Sequence, residues 1–421
     1  MNTKALLVGL AQSAQMRWAK ADSLEELAAL VRTAGGEVIE KLVQVRPKPT
    51  PAYYVGKGLV EQLHGLCSRH SVDLVVFDDE LTPTQQRNLE SGIGTRVIDR
   101  TALILDIFAI HARTAEAKIQ VELAQLEYRQ SRLTGFGVEM SRLGGIRGGI
   151  GARGPGETQL EVDRRRIKQR ITSLRRALER IDRERSTQRR RRQDLFQTVL
   201  VGYTNAGKST LFNRLVHADA LVSDRLFATL DASTKALDLS PHVRLVLTDT
   251  VGFIRSLPHQ LVASFRATLS EVSEADLLLH VVDATEEHLE RQIDAVNDTL
   301  AEVGAGDKPV VLVFSKTDRV FDEAKLARLR RNFHGAQFVS GKTGSGISDL
   351  KTELLKAAQR QMVTRTFTVP DSRWDLLSLV RNSGRVLKEE VRDGKRRLVV
   401  RGFRPALGRL RKAVDGVLKG R

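Results

Sequence analysis

The chain has 421 residues, which at roughly 150 per domain gives about three domains and enough length for several cores. Sixty-eight Lys and Arg against 51 Asp and Glu leave a net charge of +17 on a chain only 5% aromatic, a balance that points to a polyanionic partner, nucleic acid first and an anionic membrane surface second. A single cysteine, Cys67, excludes an internal disulfide framework and indicates a reduced, cytoplasmic setting; the apolar run at 6–10 is too short for a signal segment or a membrane span, so no stable membrane insertion is expected.

In chain order, apolar runs at 5–8, 38–45, 74–77 and 96–98 predict strands, and the stretches near 23–32, 58–70 and 82–91 predict helices, an N-terminal α/β subdomain over 1–110. Within 111–194, Ile119, Leu123, Leu126 and Leu133 keep a heptad spacing with Gln130 at the missing position, and Leu160, Ile167, Ile171, Leu174, Leu178 and Ile181 resume it. Two long helices can zip along these stripes as an antiparallel hairpin, its tip the glycine-dense stretch 134–157. Residues 164–192 carry fourteen Lys or Arg against three acids, a net +11, so one element holds most of the polycationic character. From 195 to 360, strand-like and helical runs alternate as the βαβ units of a mostly parallel sheet require. The remainder, 361–421, predicts a small α+β module with a hairpin turning at Asp393-Gly394 and a basic end.

The strongest chemical signal is Gly202-Tyr203-Thr204-Asn205-Ala206-Gly207-Lys208-Ser209, with Thr210 following, directly after the apolar strand 198–201. This is GxxxxGK[ST] in its strand, loop and helix context: glycines let successive N–H groups converge on phosphate oxygens, Lys208 neutralises β and γ oxygens, and Ser209 offers its hydroxyl to Mg²⁺. Asp249-Thr250-Val251-Gly252 ends another apolar strand, where Asp249 holds Mg²⁺ through water and the Gly252 N–H reaches the γ-phosphate. Between them, Phe227-Ala228-Thr229 supplies Phe227 beside the nucleotide and a Thr229 hydroxyl that completes the metal shell. Lys208, Thr229 and Gly252 are thus the expected catalytic groups, and Ser209, Thr229 and Asp249 the metal ligands.

Ser315-Lys316-Thr317-Asp318 follows the strand 310–314. Asp318 can accept from guanine N1–H and N2–H₂, whereas adenine offers no such pair of donors. Ser340-Gly341-Lys342 follows the strand 337–339, where a backbone N–H can meet guanine O6. These motifs stand at the ends of successive strands, where open α/β sheets bind ligands, and together they predict a GTPase. Ser315 replaces the usual asparagine and is too short to repeat its amide contacts. Phe253 stands where many small GTPases carry a water-orienting glutamine, so intrinsic hydrolysis should be slow and depend on a macromolecular partner.

On Tyr54-Val55-Gly56-Lys57-Gly58, Phe77-Asp78-Asp79-Glu80-Leu81-Thr82-Pro83, Gly154-Pro155-Gly156-Glu157-Thr158-Gln159-Leu160-Glu161 and Asp249-Thr250-Val251-Gly252-Phe253-Ile254, the chain resembles the HflX family of ribosome-associated translational GTPases over most of its length. The resemblance implies a cytoplasmic, ribosome-associated GTPase that docks on the large ribosomal subunit and its 23S rRNA and splits stalled or idle 70S ribosomes, the glycine-rich loop reaching toward the peptidyl transferase centre. Phe253 agrees with that family and Ser315 departs from it. A hairpin with a Gly and Arg tip suits an RNA-walled channel; Arg142, Arg147 and Arg153 at the tip, and Arg164, Arg165 and Arg166 on the following helix, are the expected RNA contacts. The alternatives are a GTPase of large-subunit assembly and an RNA-binding protein whose GTPase fold is a nucleotide-insensitive scaffold. A monomer is expected.

Overall fold

The computed structural model describes residues 3–133, 159–192, 195–217, 226–227, 233–241, 243–255 and 271–418. They form two compact units, one of the described residues up to 181 together with 226–227, the other of the described residues from 182 onward apart from those two.

In the first unit, β1 Thr3–Ala11, β2 Gly36–Val45, β3 Leu74–Phe77 and β4 Arg96–Asp99 make a parallel sheet in the order β2-β1-β3-β4. Parallel strands need covered faces, and Leu6, Val8, Val75, Phe77 and Val97 meet Leu63 of the helix Lys57–His70 and Leu89 of the helix Pro83–Ile93 in one core. The latter helix has a complete start signal: Thr82 and Gln85 form a capping box, Pro83 opens the first turn, and Gly94 stops the helix at φ 76°. The helix Arg17–Thr33 begins six residues before the apolar periodicity indicates, because its first turns carry no apolar stripe and are held instead by Lys20, which pairs with Asp78 and Asp79.

Charge locks the ends of these strands. Asp78, just past β3, accepts from Arg100 at 2.7 Å and Lys20 at 3.0 Å. Asp99, which closes β4 and is buried, accepts from the Tyr128 hydroxyl at 2.8 Å and Arg132 at 2.5 Å, both on the helix Ala115–Leu133. That helix packs along the start of Gln159–Arg192 through Leu123, Ile171 and Leu174, flanked by Ile119, Leu126, Ile167 and Leu178. Arg164 reaches the Leu133 carbonyl and Arg170 pairs with Glu122, as antiparallel neighbours must. The tip 134–157 lies outside the described residues.

In the second unit, β5 Phe196–Gly202, β6 Ser233–Ser240, β7 Val243–Asp249, β8 Leu277–Asp283, β9 Val310–Ser315 and β10 Gln337–Phe338 form a sheet ordered β10-β9-β8-β5-β7-β6, parallel except for the edge strand β6. Its central strands are buried on both faces, β8 along its whole length, and it is the mostly parallel P-loop fold expected. Met362–Pro370 (β11), Arg385–Arg392 (β12) and Lys395–Phe403 (β13) form a separate antiparallel sheet, β11-β13-β12. Asp393 and Gly394 turn its hairpin at φ 51° and 70°, as a two-residue turn with two left-handed positions requires. Phe403 stacks on Phe196 at 6.0 Å, so this module shares its unit with the larger sheet.

Candidate active site

The phosphate loop starts where β5 leaves the sheet. Gly202 has φ 148° and a Cβ there would lie 2.2 Å from the Val281 carbonyl of β8, so only glycine fits. Asn205 and Gly207 continue the turn at φ 59° and 87°. The helix Lys208–Val216 follows with no side-chain cap, which leaves its first N–H groups facing the loop. Inside the turn Lys208 is buried, and its Nζ donates to the Gly202 and Tyr203 carbonyls at 3.0 and 2.8 Å. Burial pushes its pKa down to about 8; Asp249 opposes that and Lys316 adds to it.

Asp249 ends β7, is buried, and accepts from Ser209 Oγ at 2.6 Å. A hydroxyl and a carboxylate oxygen side by side are hard donors of the kind Mg²⁺ takes together with substrate phosphates, so this pair fits that ion. Past Asp249 the chain is strapped to the phosphate loop: Phe253 N–H donates to the Gly202 carbonyl at 3.1 Å and Thr204 N–H to the Phe253 carbonyl at 2.7 Å. The closeness explains Gly252, where a Cβ would lie 2.8 Å from Thr204 Cα and 3.0 Å from Lys208 Nζ. The Phe253 ring is buried and brings no hydrogen-bonding group.

On the other side of the loop, Ser315 is buried at the end of β9 and its hydroxyl lies 2.5 Å from the Ala206 carbonyl and 3.1 Å from that of Val282. The serine is therefore long enough to tie β9 to the phosphate loop, a contact its size alone did not indicate. Lys316, left-handed at φ 54°, pairs with Asp283 at 2.7 Å and reaches Asn205 Oδ1 at 3.5 Å. Asp318 stands in the turn Thr317–Arg319 and accepts from the buried Ser340 hydroxyl at 2.6 Å. Gly341 lies against the first turn of the phosphate-loop helix, with a Cβ there only 3.0 Å from Thr210 Cγ2, and Lys342 is exposed.

One end of one sheet thus gathers the residues from Gly202 to Thr210 with Asp249, Gly252, Ser315, Lys316, Asp318, Ser340 and Gly341. Thr229 lies outside the described residues. Phe227, expected beside the nucleotide, has its ring buried edge-on against Phe108, centroids 4.6 Å apart, a partner more than a hundred residues away in the chain that no local pattern indicates. Arg142, Arg147 and Arg153 also lie outside the described residues. Arg165 and Arg166 are exposed, whereas Arg164 is half-buried and donates to the Leu133 carbonyl at 2.5 Å, so it serves the helix pair.

Two neighbours of the site carry no local sequence signal. Asp283 orients Lys316 and accepts from the Thr285 N–H and hydroxyl at 2.9 and 2.7 Å. His280 pairs in register with Val201 and is buried; burial, then the Lys208 charge, push it down to about 4, so it is neutral beside that lysine. His280 depends on the register of β8 against β5 and Asp283 on that of β8 against β9, which no local pattern specifies.

Residues 197–316 match a family model described as a 50S ribosome-binding GTPase, residues 21–109 one described as a GTP-binding GTPase N-terminal region, and residues 111–192 its middle region. The GTPase HflX of Magnetococcus marinus is 46% identical over 401 residues, covering 93% of this chain and 90% of the relative. That of Escherichia coli is 44% identical over 352 residues, covering 83% and 82%. A GTP-binding protein from Sulfolobus solfataricus, solved in complex with GDP, is 25% identical with a TM-score of 0.42, covering 86% of this chain and 99% of that one. With identity of this level along nearly the whole length, and a phosphate loop, DxxG segment and guanine-side turn gathered at one end of a P-loop sheet, the chain belongs to the HflX family of GTPases and is a GTP-hydrolysing enzyme.

Proposed function

We propose that the chain binds the large ribosomal subunit through 23S rRNA and dissociates stalled or idle 70S ribosomes in the cytoplasm as a monomer, GTP ordering the nucleotide segments and hydrolysis releasing the protein. The observation that carries this reading is the union, in one chain, of a domain matched by the 50S ribosome-binding GTPase model with a helix whose Arg165, Arg166 and Arg170 are exposed. Among the described residues no helix is long and apolar enough to cross a membrane.

In the proposed site, phosphate oxygens replace the Gly202 and Tyr203 carbonyls as partners of Lys208, and their charge restores its protonation. Ser209 and Asp249, with Thr229, would hold Mg²⁺, which neutralises charge on the β- and γ-phosphates. The Gly252 N–H donates to a γ-oxygen. Asp318, held by Ser340, accepts from the guanine edge, and Ser315 keeps β9 against the loop that cradles the phosphates. Water attacks the γ-phosphorus as the bond to the β–γ bridging oxygen breaks, leaving GDP and phosphate. Phe253 cannot orient that water, so the unstimulated rate is slow and the ribosome must supply what is missing.

The test is GTP hydrolysis with and without purified 50S subunits and 70S ribosomes, alongside sucrose gradients with GTP, a non-hydrolysable analogue, and a Lys208→Ala variant. Strong stimulation with conversion of 70S to free subunits, lost in the variant, is expected. Stimulation without dissociation would overturn splitting in favour of large-subunit assembly, and no ribosome binding would overturn both.

A further inference from the structure

Among the described residues, helices cover the C-terminal sheet on one face only, and the other is open apart from Phe403 at its end, which stacks on Phe196. Phe367, Val369, Leu398 and Val400 turn inward against Leu377 and Val380 of the helix Trp374–Asn382 and Leu407 and Leu410 of the helix Arg404–Leu418. The register assigns the other face. Arg397, Val399 and Arg401 of β13 oppose Thr368, Thr366 and Thr364 of β11 on one side. On the other they oppose Glu390, Lys388 and Arg385 of β12, and Lys395 opposes Arg392. A bulge between Val386 and Lys388 brings Lys388, Glu390 and Arg392 onto this face; simple alternation from Arg385 would have put Leu387 and Val391 there. All six cations and the three threonines are exposed, and Val399 is half-buried.

Six cations with one acid, on an open sheet whose side chains repeat about every 7 Å along a strand and about 5 Å across, repel one another. Glu390 pairs with Lys388 at 2.5 Å and also faces Arg392 and Arg397, so a single carboxylate stands among six cations and the face keeps a net charge of +5. Folding alone favours alternating signs on such a face, so the uniform charge calls for an anionic occupant. Phe403, in phase with these residues at the end of β13, is already stacked on Phe196, so among the described residues the face offers no free aromatic ring on which a base could stack, and Val399 is its one apolar side chain between the charges, too little for a protein hot spot. It does present guanidinium groups for bidentate phosphate contacts beside a column of hydroxyls.

We propose that the open face of the β11-β13-β12 sheet is an RNA-binding surface that grips the phosphate backbone without reading sequence. It stands apart from the arginine-rich helix and does not rest on the ribosome reading. Contacts of this kind anchor and orient, and their signature is salt dependence.

The test uses the full chain, a fluorescein-labelled 24-base-pair RNA duplex, and anisotropy titrations across a series of KCl concentrations. An Arg385→Gln/Arg397→Gln/Arg401→Gln variant should bind at least tenfold more weakly at low salt and lower the slope of log affinity against log salt by about 2 to 3. A control that removes three charges from exposed residues elsewhere, Arg328→Gln/Arg331→Gln/Lys356→Gln, should change the slope by less than about 1. Unchanged GDP affinity and melting in both variants show that the fold and the nucleotide site are intact. Photo-crosslinking of wild-type protein to the duplex should label peptides within 385–401. Equal losses in the two variants would overturn the proposal. So would RNA binding that the face variant leaves intact while it abolishes binding to polyglutamate, an outcome that assigns the face to an acidic protein instead. A chain that fails to split ribosomes but gives the expected slopes would sink the ribosome reading and leave this one standing.

Discussion

Gly252→Ala probes the close approach on which recognition of the γ-phosphate depends. The added methyl would stand 2.8 Å from Thr204 Cα and from Thr204 Cγ2, and 3.0 Å from Lys208 Nζ, where carbon atoms rest at about 3.5–4.0 Å. Relief requires the 249–253 segment and the phosphate loop to part by about 1 Å. The loop has little room to yield, because Thr204 and Phe253 are joined at 2.7 Å, Phe253 and Gly202 at 3.1 Å, and Gly202 lies against the Val281 carbonyl. Overpacking of this kind costs about 1–3 kcal/mol, and a donor displaced by about 1 Å at a reacting centre costs about 100-fold in turnover. GDP has no γ-phosphate, so its affinity should hold while GTP affinity and single-turnover hydrolysis fall. Competition of both nucleotides against a fluorescent analogue, with labelled phosphate release, separates the two effects. Hydrolysis at the parental rate with an unchanged ratio of GTP to GDP affinity would refute the reasoning; loss of GDP binding as well would point to a damaged loop.

Three further outcomes are expected. Lys208, with its pKa near 8 in the free protein and raised by bound phosphates, should take up about three-quarters of a proton per GDP bound at pH 8.5 and almost none at pH 7. Calorimetry in buffers of different ionisation enthalpy measures this, and no uptake at pH 8.5 would contradict it. Ser315→Ala removes the donor to the Ala206 carbonyl and should cost about 1–3 kcal/mol in stability or nucleotide affinity, read from melting and GDP titrations. Burial raises the Asp78 carboxyl, but the Arg100 and Lys20 charges outweigh it and hold the pKa below its ordinary value. Its stabilisation is therefore full above the unfolded value of about 3.9 and lost as pH falls through the folded one, so Asp78→Asn should flatten the acid limb of stability below about pH 4. An acid limb as steep as the parent's would count against this.

Much of the fold is written in short-range terms. The apolar runs at 74–77 and 96–98 end within a residue of β3 and β4, Asp393-Gly394 turns the C-terminal hairpin, and the glycine and lysine spacing of 202–209 stands between β5 and its helix. These follow from periodicity and backbone sterics, which act between near neighbours in sequence. The early start of the helix Arg17–Thr33 was hidden because turns anchored by an ion pair, here Lys20 with Asp78 and Asp79, leave no apolar imprint.

By itself, then, the sequence determined the element types, the phosphate-loop chemistry and the concentration of positive charge, since each is a property of residues a few positions apart. Only the tertiary structure decided that Ser315 reaches the Ala206 carbonyl, that Phe227 is buried on Phe108, that Gly252 has no room for a methyl, and that one bulge turns β12 to present its cations. Those outcomes depend on strand register and on approaches between segments far apart in the chain, and a shift of one residue or one ångström reverses them.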